Sequence, residues 1–376
     1  MGLIVRAVDS YRDLAAFIDL PWRLYGPSDP WVPPLRMEMK KRLDPRKHPF
    51  FEHSIAEYFV AWQAGRPVGR VAAIRNELHE WYHHEPVGFF GFFECIPDIA
   101  VARALMDSVM EWLRSWGLKW VRGPMNFSTN EECGLLVEGF DRPPAVLMPY
   151  NPPYYAELLE ALGFRKAKDL WAWEVDKTTI RMDEVVAMSE RIAQKWGPRL
   201  TVRTLQLRRL EEEADVLRSI YNDAWCRNWG FIPMLHREFV AIARDLRPIA
   251  DPDLALVAEW DSRPVAFTIG IPDIHEVLRR IPDGRLLPFG WWTLLRGLRQ
   301  IRGFRVITLG VRSDFRYRGI EILLYAELYQ RAARKGYTHA EFSWILEDND
   351  SMNRPLERIG AQRTKVYRIY ERPIEA

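Results

Sequence analysis

Three short matches recur along the chain at one spacing. Val5-Arg6 returns as Val202-Arg203, Arg66-Pro67-Val68 as Arg263-Pro264-Val265, and Leu162-Gly163-Phe164 as Ile359-Gly360-Ala361, each at an offset of 197 (202 − 5). Their surroundings repeat as well. Leu3–Val8 reads as a strand and Asp9–Tyr25 as a helix with Asp9 or Ser10 as its cap; Thr201–Thr204 and Leu210–Trp225 read the same way. Tyr58–Trp62 and Pro67–Ile74 form a hairpin pattern around Gln63–Arg66, matched by Ala255–Glu259 and Pro264–Gly270 around Trp260–Arg263. A fixed offset with matching local structure is the signature of duplication. The chain therefore reads as two copies of one domain of roughly 180 residues, within the length of an ordinary domain.

The copies are not identical. Gly117 and Gly336, which end corresponding helices, lie 219 apart, so the second copy carries an extra segment near Ile274–Ile301. The first copy has its own extra segment, Asn126–Pro149. Between the copies, Lys177–Gly197 carries Met182, Val185, Val186, Met188 and Ile192 on one helical face. Such a face suits a linker helix packed on one domain. The expected domains are 1–178 and 199–376, with a linker helix over 179–198.

The chemistry concentrates in the second copy. Val306–Val311 reads as a buried strand, Arg312–Gly319 as a loop rich in Arg, and Ile320 onward as an amphipathic helix. A loop that opens a helix presents backbone N–H groups and the positive end of the helix dipole, a natural seat for phosphate. The first copy has Ile96-Pro97-Asp98-Ile99-Ala100-Val101-Ala102-Arg103 there, with no glycine to shape such a loop.

Arg316-Tyr317-Arg318-Gly319-Ile320-Glu321 resembles the Arg/Gln-x-x-Gly-x-Gly/Ala motif of the GCN5-related N-acetyltransferases. It departs from that motif at Glu321, where the family has Gly or Ala. The resemblance implies two tandem domains of α/β class, each a twisted mixed β-sheet flanked by helices. It implies acyl-CoA as co-substrate, its pyrophosphate held at Arg316–Glu321, and a backbone N–H near Val311 that polarises the thioester. The first copy then serves as a degenerate partner that shapes the acceptor cleft. The family's Asn-x-x-Ala-x-x-x-Tyr run aligns with Asn349 and Leu356, so Asn349 matches and the usual acidic Tyr is Leu356. Glu347, at the end of the strand Thr338–Ile345, is the expected general base. Asn228 and Trp229 follow the helix that borders the acceptor pocket in this fold, and are expected to contact the acceptor.

The polar run Gly123–Gly134 lies between a strand and an apolar segment and contributes Asn126, Asn130 and Glu132 as further acceptor contacts. The insertion Arg279–Arg302 mixes Leu286, Leu287, Phe289, Trp291, Trp292, Leu294 and Leu295 with arginines. It suits an interfacial membrane contact, the wall of a long-chain pocket, or a helical hairpin that covers the domain or joins a dimer.

Bulk properties narrow the classes. A net charge of +2 argues against a general nucleic-acid binder. Cys95, Cys133 and Cys226 are few, odd in number and without CxxC spacing, so neither a disulfide framework nor a metal site is expected. A cytoplasmic setting fits them, and the N-terminus shows no signal-peptide pattern. The expected function is acyl-CoA-dependent N-acylation of an amine, with a long-chain or lipid amine as one candidate acceptor; the alternative is a binding or regulatory protein that kept the fold and lost catalysis.

Overall fold

The computed structural model describes residues 2–375. Their strands are β1 (Ile4–Ala7), β2 (Ser54–Gln63), β3 (Arg66–Asn76), β4 (Val87–Cys95), β5 (Trp120–Gly123), β6 (Leu135–Glu138), β7 (Arg165–Asp176), β8 (Leu200–Thr204), β9 (Ala255–Trp260), β10 (Arg263–Pro272), β11 (Gly303–Val311), β12 (His339–Leu346) and β13 (Gln362–Pro373). The helices of eight residues or more are α1 (Tyr11–Asp19), α2 (Ile99–Ser115), α3 (Tyr154–Ala161), α4 (Asp183–Trp196), α5 (Leu210–Trp225), α6 (His236–Leu246), α7 (Gly290–Leu298), α8 (Ile320–Lys335) and α9 (Asp350–Arg358).

The chain divides into two compact units, the first holding residues up to Leu170, Leu278–Trp292 and Lys365 onward, the second Trp171–Val277 and Thr293–Thr364. In the first, the strand order is β1-β2-β3-β4-β5-β13, with β6 also paired to β13. Strand β4 is buried along its whole length, as its run Val-Gly-Phe-Phe-Gly-Phe-Phe-Glu-Cys requires. Helix α2 lays Val101, Leu105, Met106, Val109 and Leu113 on this sheet, fully buried or nearly so. Each such side chain contributes about 1.5–3 kcal/mol. In the second unit the order is β12-β11-β10-β9-β8, and α8 buries Ile320, Leu323, Leu324 and Leu328 in the core.

These units differ from the domains expected from the offsets in three places, the first being that residues from Trp171 to 178 group with the second unit. The segment Leu278–Trp292 and the last strand from Lys365 group with the first unit. Strands β7 and β13 correspond at the offset of 197, both twelve residues long, and each begins in one unit and ends in the other. Sequence offsets report which copy a residue descends from; they carry no information on which sheet receives a strand's last residues. In the first unit β13 pairs with β5, Tyr370 opposite Gly123 and Pro373 opposite Trp120, and buries Tyr370 in the core. The helix expected between the copies is α4, which packs through Ile192 and Trp196 against the core of the second unit.

Candidate active site

The second unit contains an opening between two parallel strands. β11 and β12 are in register from Gly303–His339 to Val306–Phe342, while β11 continues to Val311 and β12 to Leu346. A bulge starts this divergence: Ile269 faces Thr308 and Gly270 faces Val306, so Ile307 has no opposite residue on β10. A bulge bends its strand and increases the twist. Below the divergence lies a buried polar chain. Arg305 Nε donates to Ser343 Oγ at 2.8 Å, and Ser343 Oγ donates to Glu341 Oε1 at 2.6 Å. These three groups satisfy one another inside the sheet, which places Glu341 in the scaffold.

Backbone direction at the end of β11 follows from one bond. The Arg312 N–H donates to Val265 O on β10 at 2.9 Å. In an antiparallel pair the bonded residues alternate. Val311, opposite Ala266, therefore turns its N–H and C=O away from β10, toward the β12 side where the strands part. Over this strand end lies Trp225 of α5, and a Cβ at Gly310 would be 2.4 Å from its Cζ3. Tyr221 stacks on Trp225 at 4.7 Å.

The loop after β11 is held from behind by α5. Asp223 accepts from the Ser313 N–H (2.6 Å) and Oγ (3.0 Å), Arg312 Nη1 donates to Ser219 Oγ (3.2 Å), and Arg316 Nη2 donates to Ala224 O (2.8 Å). The last contact sets a cation against the carbonyl end of a helix, its favourable partner. The Arg318 guanidinium stacks over Trp260 and Phe315, 4.8 Å from each ring. Tyr317 has φ 63° and is wholly exposed. Gly319 is the N-cap of α8 at φ 81°, and a Cβ there would meet Ile192 Cδ1 at 2.5 Å. No side chain caps this helix. The amides of Gly319, Ile320 and Glu321 thus open on the loop, with no side chain among the described residues capping them, the arrangement in which a helix start binds an anion. This donor set fits a pyrophosphate. Glu321 sits one turn before Tyr325; burial, and then Glu321, raise the Tyr325 hydroxyl far above its ordinary range and keep it protonated. Tyr325 Oη donates to Met352 Sδ at 3.5 Å.

At the end of β12, Glu347 is half-buried and its carbonyl accepts from Asn353 Nδ2 at 3.4 Å. Asn349 is the N-cap of α9; its carbonyl accepts from the Asn353 N–H and its side-chain oxygen from Ser351. Leu356 is buried in the core at 2% exposure, so no acid stands at the family's Tyr position. Asn228 and Trp229 are half-buried in the turn after α5, where the Asn228 N–H donates to Trp225 O. The structure therefore gathers Val311 and Arg316–Glu321 around one strand end, Glu347 and Asn349 at the end of the neighbouring strand, and Asn228 and Trp229 beyond Trp225.

Asn126, Asn130 and Glu132 belong to the first unit. Asn126 Oδ1 accepts from the Phe92 N–H (2.7 Å) and its Nδ2 donates to Glu132 Oε2 (3.0 Å). Glu132 also pairs with the half-buried Arg42 at 3.0 Å, as does Glu131 at 3.1 Å. The Asn130 N–H donates to Ser128 Oγ. Asn126 and Glu132 thus serve to hold their own loop against β4.

The first unit repeats the backbone of the opening and fills it. The Ile96 N–H donates to Val68 O (3.0 Å), which turns Cys95 toward the parting of β4 and β5. There the Cys95 N–H donates to Tyr155 Oη (3.0 Å) and Cys95 O accepts from Tyr154 Oη (2.8 Å). Tyr155 and Tyr25 both donate to the buried Glu94, whose charge Arg70 faces at 3.6 Å. Burial, then Glu94, drives both phenols far above their ordinary range. The start of α2 is capped by Asp98, which accepts from the Ala100 N–H at 2.8 Å. Sequence reading missed these tyrosines, and it missed Trp225 and Asp223.

Two curated proteins match nearly the whole chain. Protein YghO of Escherichia coli strain K12 is 38% identical over 378 residues, covering 99% of this chain and 95% of that protein. The bacterial ceramide synthase of Caulobacter vibrioides is 34% identical over 380 residues, covering 99% and 98%. The chain belongs to their family. Its fold is that of the GCN5-related N-acetyltransferases. A tandem protein of that fold from the clavulanic acid biosynthesis pathway superposes with a TM-score of 0.59 at 13% identity, covering 100% of this chain and 99% of its own. A GCN5-related N-acetyltransferase from Sphaerobacter thermophilus gives 0.53 at 14%, covering 100% and 96%. No family model matches the chain. Among the described residues, no helix of this family member is long and apolar enough to cross a membrane. Nor does any group of three or more His, Cys, Asp or Glu among them suit a metal ion.

Proposed function

We propose that this protein is an acyl-CoA-dependent N-acyltransferase that works from its second unit on a long-chain or lipid amine in the cytoplasm. The observation that carries the reading is the uncapped start of α8 beside the exposed edge of Val311. The amides of Gly319, Ile320 and Glu321, with Arg316 and Arg318 nearby, would hold the pyrophosphate of acyl-CoA. When bound, that co-substrate supplies an activated acyl group. The Val311 N–H polarises the carbonyl that is attacked. Glu347 takes the proton that the amine sheds as the new C–N bond replaces the C–S bond. The thiolate is a good leaving group, which suits a site with Leu356 in place of an acid. Asn349 steadies the end of β12, and Asn228 and Trp229 border the acceptor. A relative named bacterial ceramide synthase supports a lipid amine, because a ceramide is a long-chain base acylated on nitrogen.

Calorimetry with acyl-CoAs from acetyl to palmitoyl tests the donor. Binding of at least one is expected, weakened about tenfold or more in Arg318→Ala, the loss of a charge-assisted contact. In a mass-spectrometric assay with a long-chain amino alcohol, Glu347→Gln should slow turnover by about 10²–10⁴ with binding kept. A folded protein that binds none of these donors overturns the proposal. That outcome would favour a second reading, a binding or regulatory protein, for which the Glu321 departure and the buried Leu356 are the specific observations.

A further inference from the structure

The segment Leu278–Trp292 has no counterpart in the first copy, and in the structure it groups with the first unit. It is fastened to the first unit by backbone groups. Trp22 Nε1 donates to Pro282 O (2.8 Å), Arg36 Nε to Asp283 O (2.8 Å), and the Arg36 N–H to Gly284 O (3.0 Å). Gly284 sits at φ 63°, where a Cβ would lie 2.5 Å from Pro34 O, so the seat admits only glycine. Beyond this clamp the loop closes on itself: the Trp291 N–H donates to Leu286 O (2.7 Å) and Trp291 Nε1 to Pro288 O (2.9 Å). The side chains it holds out are apolar. Leu287 is 76% exposed and Phe289 78%, and Trp291 and Trp292 are also exposed.

A rigid loop that shows two nearly naked apolar side chains and two indoles to water has a partner. Charge says which kind. The segment carries Arg279, Arg280 and Arg285 against the single acid Asp283. Arg285 is exposed beside Leu287. Self-association through this loop would set arginines against arginines. An anionic bilayer complements it instead: indoles settle at the headgroup level, Leu and Phe enter the acyl region, and arginines meet the phosphates.

We propose that Leu287, Phe289, Trp291 and Trp292 form a wedge that docks this protein on an anionic membrane surface through the interface of one leaflet. The proposal is independent of the acyl-CoA reading.

Co-sedimentation of the full chain with vesicles of phosphatidylcholine, with and without phosphatidylglycerol, tests it. Partition onto the mixed vesicles, falling steeply with salt, is expected. Leu287→Ser combined with Phe289→Ser should reduce it about tenfold or more, and Arg285→Glu should reduce it on anionic vesicles. Both variants change exposed groups, and circular dichroism checks that each is folded. Wild-type protein that stays in the supernatant, or a Leu287/Phe289 variant that partitions as well as wild type, overturns the proposal. So does a wild-type dimer in sedimentation velocity that dissociates in that variant, which would make a second copy the occupant.

Discussion

Cys95 and Val311 end corresponding strands of a duplicated architecture, and they meet opposite fates. Both turn their backbone amide toward a parting of two parallel strands. At Cys95 a phenol from α3 takes the amide, a second phenol takes the carbonyl, and Asp98 caps the helix that follows. At Val311 the amide turns toward the parting, and the helix that follows starts at a glycine with no side-chain cap. At the offset of 197, Tyr154 and Tyr155 correspond to Ser351 and Met352. The same backbone is therefore a sealed core in one unit and a donor surface in the other, by the choice of two side chains on one helix. What the two units share is the order of their strands; what separates them is whether the polar groups at the strand end are satisfied from within.

The sharpest way to break this comparison is to move the seal. Met352→Tyr should weaken acyl-CoA binding about 100-fold, roughly 2.7 kcal/mol, in a protein that still folds. Unchanged affinity by calorimetry would mean that the α9 position does not control access to Val311.

Acid should separate the units next. In the first unit burial is the main cause that holds His48 down at about 4 and His79 at about 3; Arg42 adds to it for His48, and His83 for His79. Unfolded, each titrates near 6.5. A folded pKa below the unfolded one gives stability that is present above pH 6.5 and lost as pH falls toward 4 and 3, because the unfolded chain takes the proton first. For His48 the loss approaches about 3 kcal/mol. The melting temperature in calorimetric scans should fall steeply from pH 7 to 4, and His48→Gln should flatten that fall. An equal pH slope in the variant would show that His48 is not the cause.

Asp98→Ala is the mildest test. Loss of the cap should cost about 1 kcal/mol and leave acyl-CoA binding as it was. A change in affinity would place the donor in the first unit and reverse the comparison.

Much of this contrast was legible in the sequence, and the limits have physical reasons. The loop shape at Arg316–Glu321 could be read because local backbone follows from glycine and helix starts: Gly319 does open α8. The absence of glycine at Ile96–Arg103 already pointed to a degenerate first copy. The seal could not be read from Cys95 itself, since the groups that close it come from Tyr154 and Tyr155, some sixty residues on. Asn126 and Glu132 look like ligand contacts in a polar loop, yet Phe92 and Arg42 absorb them, partners distant in sequence. Helix α5 was legible to the residue, while its Asp223 and Trp225, which hold the loop and cover Gly310, depend on how the helix is rotated over β11.

The last strand also bears on how the protein is made. Lys365–Pro373 pairs with β5 and β6 in the first unit and supplies Tyr370 to its core. The first unit therefore waits for Lys365–Pro373, which follow the second unit in sequence, before its sheet is closed. At about 5–20 residues per second, that wait spans the synthesis of the whole second copy. During it the edges of β5 and β6 are open to other chains. A chain that stops before Lys365 leaves the first unit without this strand and without Tyr370 in its core.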